Sequence, residues 1–121
     1  MTHSLEVYRE GKMIFSSDGR WLYPIFELEK FITERNLCSS ELMVQDKIIG
    51  RAAALMLMHL GIRSVFASVL SRPGKAVLDR AGIDYRFDVL IEKVACRTEE
   101  LLQDTDDPAE AYAIVCRRAG I

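Results

Sequence analysis

One stretch, residues 46–61 with the sequence DKIIGRAAALMLMHLG, constrains the fold more than any other part of the chain. From Ala52 to Met58 the side chains are apolar on every side of a helix, which is typical of a helix buried on most of its circumference. The apolar run is shorter than the ~20 residues that cross a bilayer. We therefore predict a central core helix over residues 46–61, with a polar beginning and an end at Gly61. Three of the four residues on one of its faces are small enough to let it lie close to a sheet: Gly50, Ala53, Ala54 and Leu57.

Strand and helix patterns alternate along the rest of the chain. Glu10-Gly11 separates two short runs of strand-forming residues, which predicts a β-hairpin. Ser71 and Asp107 are N-cap residues for two later helices. The predicted strands are 5–9, 12–16, 42–44, 64–70 and 85–90, and the other predicted helices are 24–36, 71–80, 98–102 and one that starts after Asp107.

Strands separated by helices of this length imply right-handed crossovers. They predict an α/β fold of three layers, with a mixed, mostly parallel five-stranded sheet covered by helices on both faces. The N-terminal hairpin adds an antiparallel pair at one side of this sheet. We expect a single domain over residues 1–121, because the length suits one domain and no linker interrupts the pattern.

Composition narrows the classes of function. The net charge of -2 and the pI near 5.7 argue against a general nucleic-acid binder, which usually carries a basic surplus. The first residues are polar and acidic rather than an export signal, so we expect a cytoplasmic protein that is not bound to a membrane. The cysteines are widely spaced and predict neither a disulfide framework nor a zinc site, and we interpret Cys38 and Cys116 as structural.

Three loops before predicted helices pair a glycine with a cation, and they are the candidate ligand-binding sites. A helix start offers free N–H groups and a partial positive charge, so it attracts anions. The pattern favours a phosphate-bearing or nucleotide-like ligand, and the indole of Trp21 is available to stack on a base. The alternative is that the polar residues only cap helices and the cations are solvated. No complete Walker A or GxGxxG motif is present, and we predict no cofactor or metal. The residues concerned are Gly19, Arg20, Trp21, Asp46, Lys47, Gly50, Arg51 and Ser71.

A second candidate site lies after the last predicted strand, where Cys96 precedes a short helix. A cysteine in that position is a candidate nucleophile, with Glu99 as its acid or base. His3 is close to the N-terminus and His59 lies at the far end of the central helix, so we do not expect a Cys–His pair. The alternative for Cys96 is a half-buried structural thiol.

The central segment and several later motifs resemble a known family. The shared residues are DKIIGRAAALM at 46–56, Gly61-Ile62, Val69-Leu70-Ser71, Gly82-Ile83 and DPAEAY at 107–112. They resemble the uncharacterised prokaryotic family called domain of unknown function 1893. The resemblance implies a cytidine-deaminase-like fold, an α/β/α sandwich, and an association with ADP-ribose as a ligand or covalent modification. No established reaction comes with it.

The zinc chemistry of true deaminases is not expected here. Those enzymes carry His-x-Glu at the start of one helix and Pro-Cys-x-x-Cys at the start of the next. The matching segments, 19–25 and 46–50, contain neither histidine nor cysteine. A cysteine followed by Pro-Met-Glu, usual late in the family, corresponds here to Cys96-Arg97-Thr98-Glu99, which lacks the proline.

The leading hypothesis is therefore a zinc-free, deaminase-like domain that binds a nucleotide-like ligand such as ADP-ribose. One alternative is an enzyme that uses Cys96 with Glu99 on such a ligand. The other is a self-associating interaction module without catalysis, in which Phe66, Tyr85 and Phe87 form the interface between copies rather than part of the core.

Overall fold

Strands and helices alternate along residues 2–121, which are the residues that this computed structural model describes. The strands form one sheet in the order β2-β1-β3-β4-β5. A 3₁₀ turn at Ser39–Glu41 precedes β3. The strands are β1 (Leu5–Arg9), β2 (Lys12–Ser17), β3 (Leu42–Ile49), β4 (Ser64–Ser71) and β5 (Asp84–Ile91), and the helices are α1 (Tyr23–Arg35), α2 (Arg51–His59), α3 (Arg72–Ala81), α4 (Arg97–Leu101) and α5 (Pro108–Ala119).

The mixed sheet and the α/β class agree with the prediction. β1 pairs antiparallel with both β2 and β3, whereas β3, β4 and β5 are parallel. Glu10 and Gly11 both have positive φ, 52° and 78°, as the tight turn of the predicted hairpin requires. No helix within residues 2–121 has the length and apolarity to cross a membrane.

The predicted helix caps are present. The Ser71 hydroxyl accepts the N–H of Gly74 at the start of α3, and the Asp107 carboxylate accepts the N–H of Glu110 at the start of α5. Gly82 ends α3 in the left-handed conformation, with φ 68°. Local sequence signals of this kind therefore placed the later helices correctly.

The beginning of the predicted central helix is wrong. Residues 46–49 continue strand β3, Gly50 is extended, and α2 starts only at Arg51. The strand continues because Ile48 and Ile49 are β-branched and pair with Val69 and Leu70 of β4. The apolar body of α2 is as predicted, since every residue from 51 to 57 is buried.

The helices gather on one face of the sheet. Residues that pair across neighbouring strands point to the same face of the sheet. Val7 pairs with Phe15 and with Val44, and Val65 pairs with Val44 and with Tyr85, so these five side chains share one face. Phe15 contacts Phe31 of α1 with ring centroids 4.9 Å apart, and the Tyr85 hydroxyl donates to Asp79 of α3. α1 and α3 therefore share a face, and α5 packs on α2 beside them.

The expected second helical layer is absent from residues 2–121. The chain passes from β2 to β3, from β3 to β4 and from β4 to β5 in the same direction across the sheet. Right-handed crossovers that all step one way place their helices on the same side. The opposite face of the sheet is open.

Candidate functional site

A cavity of about 370 Å³ lies where the starts of α1 and α2 meet the carboxyl end of β3. It brings together three segments that are far apart in the sequence: the loop before α1, the end of β3, and the segment that leads into α4. Apolar side chains cover much of its wall, and polar groups lie at its rim and at one end. The lining residues include Gly19, Arg20, Trp21, Leu22, Pro24, Asp46, Lys47, Ile48, Gly50, Ala52, Ala53, Val94, Cys96, Thr98 and Glu99.

The loop before α1 is fixed by short-range hydrogen bonds. The Ser4 hydroxyl lies 2.8 Å from the carbonyl oxygens of both Ser17 and Gly19. The N–H of Gly19 donates to the Ser17 hydroxyl over 3.1 Å. A Cβ at Gly19 would lie 3.1 Å from a Glu27 carboxylate oxygen, so a larger residue would crowd this loop.

Trp21 is held in an unusual conformation at the cavity wall. Its φ is 56°, in the left-handed region that bulky residues rarely adopt. Its indole N–H donates to the Thr98 hydroxyl over 3.0 Å, and 36% of the residue remains exposed. Thr98 is buried and also accepts from Arg118 Nε over 3.1 Å. Thr98 thus positions the indole and accepts a second bond from Arg118, and no sequence pattern linked either residue to Trp21.

Asp46 lines the cavity from the helix-covered side of β3, rather than from a helix start. Burial raises the pKa of its carboxyl to about 7, although hydrogen bonds from the backbone of Ile48 and Lys47 act in the opposite direction. Near neutral pH this group therefore exists in both protonation states. It can donate or accept a hydrogen bond toward a molecule in the cavity.

The start of α2 already holds a carboxylate. Glu99 accepts the N–H of Arg51 and the N–H of Ala52, each over 2.7 Å. The predicted anion site at this helix start is therefore filled by a side chain of the same chain. Glu99 reaches it because Gly50 has no side chain: a Cβ there would lie 2.3 Å from a Glu99 oxygen.

Arg51 turns away from the cavity, contrary to its predicted ligand-binding position. Its Nε donates to the carbonyl of Leu102 over 2.7 Å, and its Nη2 donates to the Thr105 carbonyl and to the Asp106 carboxylate. The residue is 8% exposed. All these acceptors lie between α4 and α5, so Arg51 fixes that connection instead of binding a ligand.

Ser71 also lies outside the cavity. It is fully buried, and its hydroxyl is occupied by the N–H of Gly74 over 3.0 Å. A Cβ at Gly74 would come within 3.0 Å of the Gly50 carbonyl, so these two glycines allow α3 to start against the β3–α2 junction. The third glycine-and-cation loop is therefore a packing and capping feature.

Arg20 and Lys47 are exposed cations at the rim of the cavity. Neither forms an ion pair with any of residues 2–121. Both are therefore available to an anionic group that enters from solvent.

Cys96 is half-buried and lies at the cavity wall, close to where Glu99 enters. Within the described part of the chain no hydrogen bond joins the two side chains, and both Glu99 oxygens accept from α2. The geometry thus brings the predicted pair into one cavity without making Glu99 the partner of the thiol. Their catalytic roles stay a prediction.

The remaining candidates lie elsewhere. His59 stacks on Tyr112 of α5 with ring centroids 4.3 Å apart. Tyr85 and Phe87 stack on each other on the helix-covered side of the sheet, whereas Phe66 lies on the open face. Among residues 2–121, no group of three His, Cys, Asp or Glu side chains is arranged to hold a metal ion.

Comparisons with known proteins identify a family. A family model described as "Domain of unknown function (DUF1893)" matches residues 2–117. The crystal structure of a DUF1893 family protein from Thermotoga maritima, at 2.70 Å resolution, resembles this fold with a TM-score of 0.84. The two sequences are 31% identical, and the match covers 95% of this chain and 80% of that one. No curated protein matches the chain significantly.

Proposed function

We propose that this chain, which belongs to the DUF1893 family, binds a nucleotide-like ligand in the cavity between the starts of α1 and α2. ADP-ribose is the representative of that ligand class. The observation that carries the proposal is the convergence of three features on one cavity of about 370 Å³: a fixed indole, two cations that form no ion pair within residues 2–121, and a partly protonated carboxyl. Cavities of this size and composition, mostly apolar with a few polar groups, are typical of small-molecule sites.

The distribution of charge sets the orientation of the ligand. Because Glu99 occupies the first N–H groups of α2, a phosphate cannot bind at the start of that helix. Arg20 and Lys47 at the rim are its partners instead. The apolar interior with Asp46 suits a ring or ribose that carries hydroxyl or amino donors. A base can stack on the exposed part of Trp21.

The cavity supports a zinc-free, cytidine-deaminase-like interpretation of the site, although residues 2–121 do not form the second helical layer of that fold. Two adjacent helix starts border one cavity, and Gly19 and Gly50 lie in the segments where deaminases carry their zinc ligands. Binding is the activity we propose. Catalysis by Cys96 with Glu99 is the second candidate, supported only by the presence of both side chains at the same cavity.

Calorimetric titration tests the proposal. ADP-ribose, NAD and AMP are expected to give saturable heats, whereas ribose, which lacks the phosphate, should bind much more weakly. Lys47→Ala and Arg20→Ala should each lower the affinity about tenfold, since a charge-assisted contact contributes roughly 1.5 kcal/mol or more. Lys30→Ala is the matched control, because Lys30 is an equally exposed cation on α1 that pairs with Glu34. Flat titrations with every nucleotide would contradict the proposal.

A further inference from the structure

The two edges of the sheet differ in how well they are protected against pairing with another strand. An edge strand presents a row of unpaired backbone N–H and C=O groups, and proteins usually blunt it with a short strand, a lysine or a bulge. β2 has all three features: it is six residues long, it begins with Lys12, and its register against β1 shifts between Val7 and Tyr8. The β2 edge is therefore a poor template for another strand.

β5, at the opposite edge, has none of these features. It is eight residues long and contains neither lysine nor proline. Its register against β4 does not shift between Asp84 and Ile91. Within residues 2–121, β4 is the only strand that pairs with it. The outer N–H and C=O groups of β5 are therefore open to a further strand.

The side chains of β5 are accessible on both faces of the sheet. Every residue from Arg86 to Val89 is exposed, and two of them are large and apolar, Phe87 at 37% and Val89 at 51%. Because successive residues of a strand point to opposite faces, Phe87 and Val89 share the helix-covered face with Tyr85. Arg86 and Asp88 share the open face. β5 thus has an exposed apolar row and an exposed charged row.

The charged row carries opposite signs at neighbouring positions. Neither Arg86 nor Asp88 forms an ion pair within residues 2–121. When two antiparallel strands pair, opposite charges that face each other stabilise the pair, and like charges destabilise it. These two residues can therefore select one register for pairing between two copies of β5.

We propose that β5 pairs antiparallel with β5 of a second copy of this chain, about a two-fold axis that is perpendicular to the sheet and passes beside Phe87. The two five-stranded sheets then form one continuous sheet. Arg86 lies opposite Asp88 of the second copy, and the two-fold axis repeats this contact. On the helix-covered face Phe87 meets Phe87 and Tyr85 meets Val89, so the exposed apolar residues cover one another.

The charges select this register over its alternatives. Antiparallel pairing places residues of the same face opposite each other, so the axis can be centred on any residue of β5. An axis at Arg86 would place Arg86 opposite itself and Asp84 opposite Asp88. An axis at Asp88 would place that carboxylate opposite itself. Axes nearer to either end of the strand pair fewer of its residues. Only the axis at Phe87 combines long pairing with opposite charges.

The β5 edge is separate from the ligand cavity, because none of the described residues of β5 lines that cavity. The dimer and the ligand site are therefore testable independently. Arg86 and Asp88 are exposed on an edge strand, so substitutions at these positions leave the core intact.

Sedimentation velocity over a wide concentration range tests the charge pairing. The wild-type chain is expected to change from monomer to dimer as its concentration rises. Arg86→Glu and Asp88→Arg each bring like charges together twice, so each should weaken the dimer at least about tenfold. A chain with both substitutions again joins opposite charges and should dimerise like wild type, as should an equimolar mixture of the two single variants. Arg117→Glu is the matched control, because it reverses an exposed charge on α5.

Cross-linking tests the register. Phe87→Cys, in a Cys38→Ser background that lacks the exposed native thiol, should be linked to its own copy by a bifunctional maleimide with a short spacer. Peptide mass spectrometry identifies the linked position. Val89→Cys is the control, because the two copies of residue 89 are four positions apart along the paired strands, about 13 Å.

Three results would overturn the proposal. The first is a wild-type chain that stays monomeric at all concentrations. The second is a dimer that Arg86→Glu and Arg117→Glu weaken equally, or that the double substitution fails to restore. The third is a dimer that cross-links at position 89 at least as readily as at position 87.

Discussion

The Glu99 carboxylate lies directly over the backbone of Gly50, where its two oxygens accept the first N–H groups of α2, each over 2.7 Å. Residues 47 and 48 positions apart in the chain thus form a helix cap. The contact forms part of the cavity wall and joins α4 to the centre of the fold. It also explains why the position before α2 is a glycine although its φ of -100° is open to any residue.

Gly50→Ala tests this contact. The three atoms nearest to an added Cβ all belong to Glu99, the closest at 2.3 Å, so the side chain of Glu99 must leave. We expect a loss of about 1–3 kcal/mol in the free energy of unfolding, measured by urea denaturation. Glu99→Ala alone should cost about 1–2 kcal/mol through loss of the cap. In that background Gly50→Ala should cost little; additive losses in the double variant would contradict the mechanism.

Arg51→Met should be among the most destabilising substitutions in the chain. The buried guanidinium donates to the carbonyls of Leu102 and Thr105 and to the Asp106 carboxylate. A methionine removes all three bonds and leaves the Leu102 carbonyl with only the N–H of Thr105 as a donor. We expect a loss of about 2–4 kcal/mol in urea denaturation, with faster proteolysis between α4 and α5. Arg80→Met is the matched control, since Arg80 is half-exposed and meets Asp106 only at 3.4 Å. Similar losses for both variants would assign the effect to the Asp106 ion pairs rather than to the buried carbonyls.

Stability should fall as pH rises through the range in which Asp46 ionises. Its pKa is about 7 in the folded chain, above the ordinary value of 3.8, so the folded state holds the proton more tightly than the unfolded state. The contribution is fully present below about pH 4 and is lost by the time pH exceeds about 7, with a total of roughly 2–4 kcal/mol. Asp46→Asn, which mimics the protonated form, should therefore be more stable than wild type at about pH 8 and similar to it at about pH 4. If wild type and Asp46→Asn showed the same dependence of stability on pH, the prediction would be wrong.

Much of the fold could be predicted because its signals are local. Glu10-Gly11 fixes a hairpin turn. Ser71 and Asp107 are N-caps, and each accepts the N–H of the residue three positions later in the sequence. The boundary between β3 and α2 at Gly50 was not predicted, because the residues from Asp46 to Ile49 suit either the start of a helix or the end of a strand. Pairing with β4 decides between them, and pairing is not local.

The site could be predicted only in part, for a related reason. Gly19 to Trp21 and Asp46 to Lys47 do border one cavity, since strand ends and helix starts meet at the same edge of a sheet. The occupation of the α2 start by Glu99 was not predictable, because no spacing relates residue 99 to residue 51. The same holds for the bonds from Trp21 and Arg118 to Thr98, which depend on how α4 and α5 pack.

Thr98→Val should release the indole of Trp21. The chain has one tryptophan, so its fluorescence reports directly on the cavity wall. Valine keeps the shape of threonine but removes the acceptor, and we expect stronger quenching by acrylamide together with a stability loss of about 1–2 kcal/mol. Arg118→Ala removes the other donor to Thr98 and leaves the indole bond in place. It should change quenching much less; identical quenching in both variants would contradict the positioning role.

Alkylation at neutral pH tests the catalytic alternative for Cys96. The exposed Cys38 provides an internal reference, and Cys96 is half-buried. If the thiol is structural, iodoacetamide should modify Cys96 more slowly than Cys38, as peptide mass spectrometry can show. Faster modification of Cys96, reduced by Glu99→Gln, would instead support nucleophilic catalysis.

The bonds of Arg51 also constrain the order in which the chain can mature during synthesis. α2 ends at His59, but the acceptors of its first side chain are residues 102, 105 and 106. A nascent chain that ends before Leu102 contains the whole sheet, yet its central helix carries a buried cation without acceptors. Such fragments are expected to be degraded by proteases rather than to persist as smaller folded units, so the sheet and the segment after α4 mature as one unit.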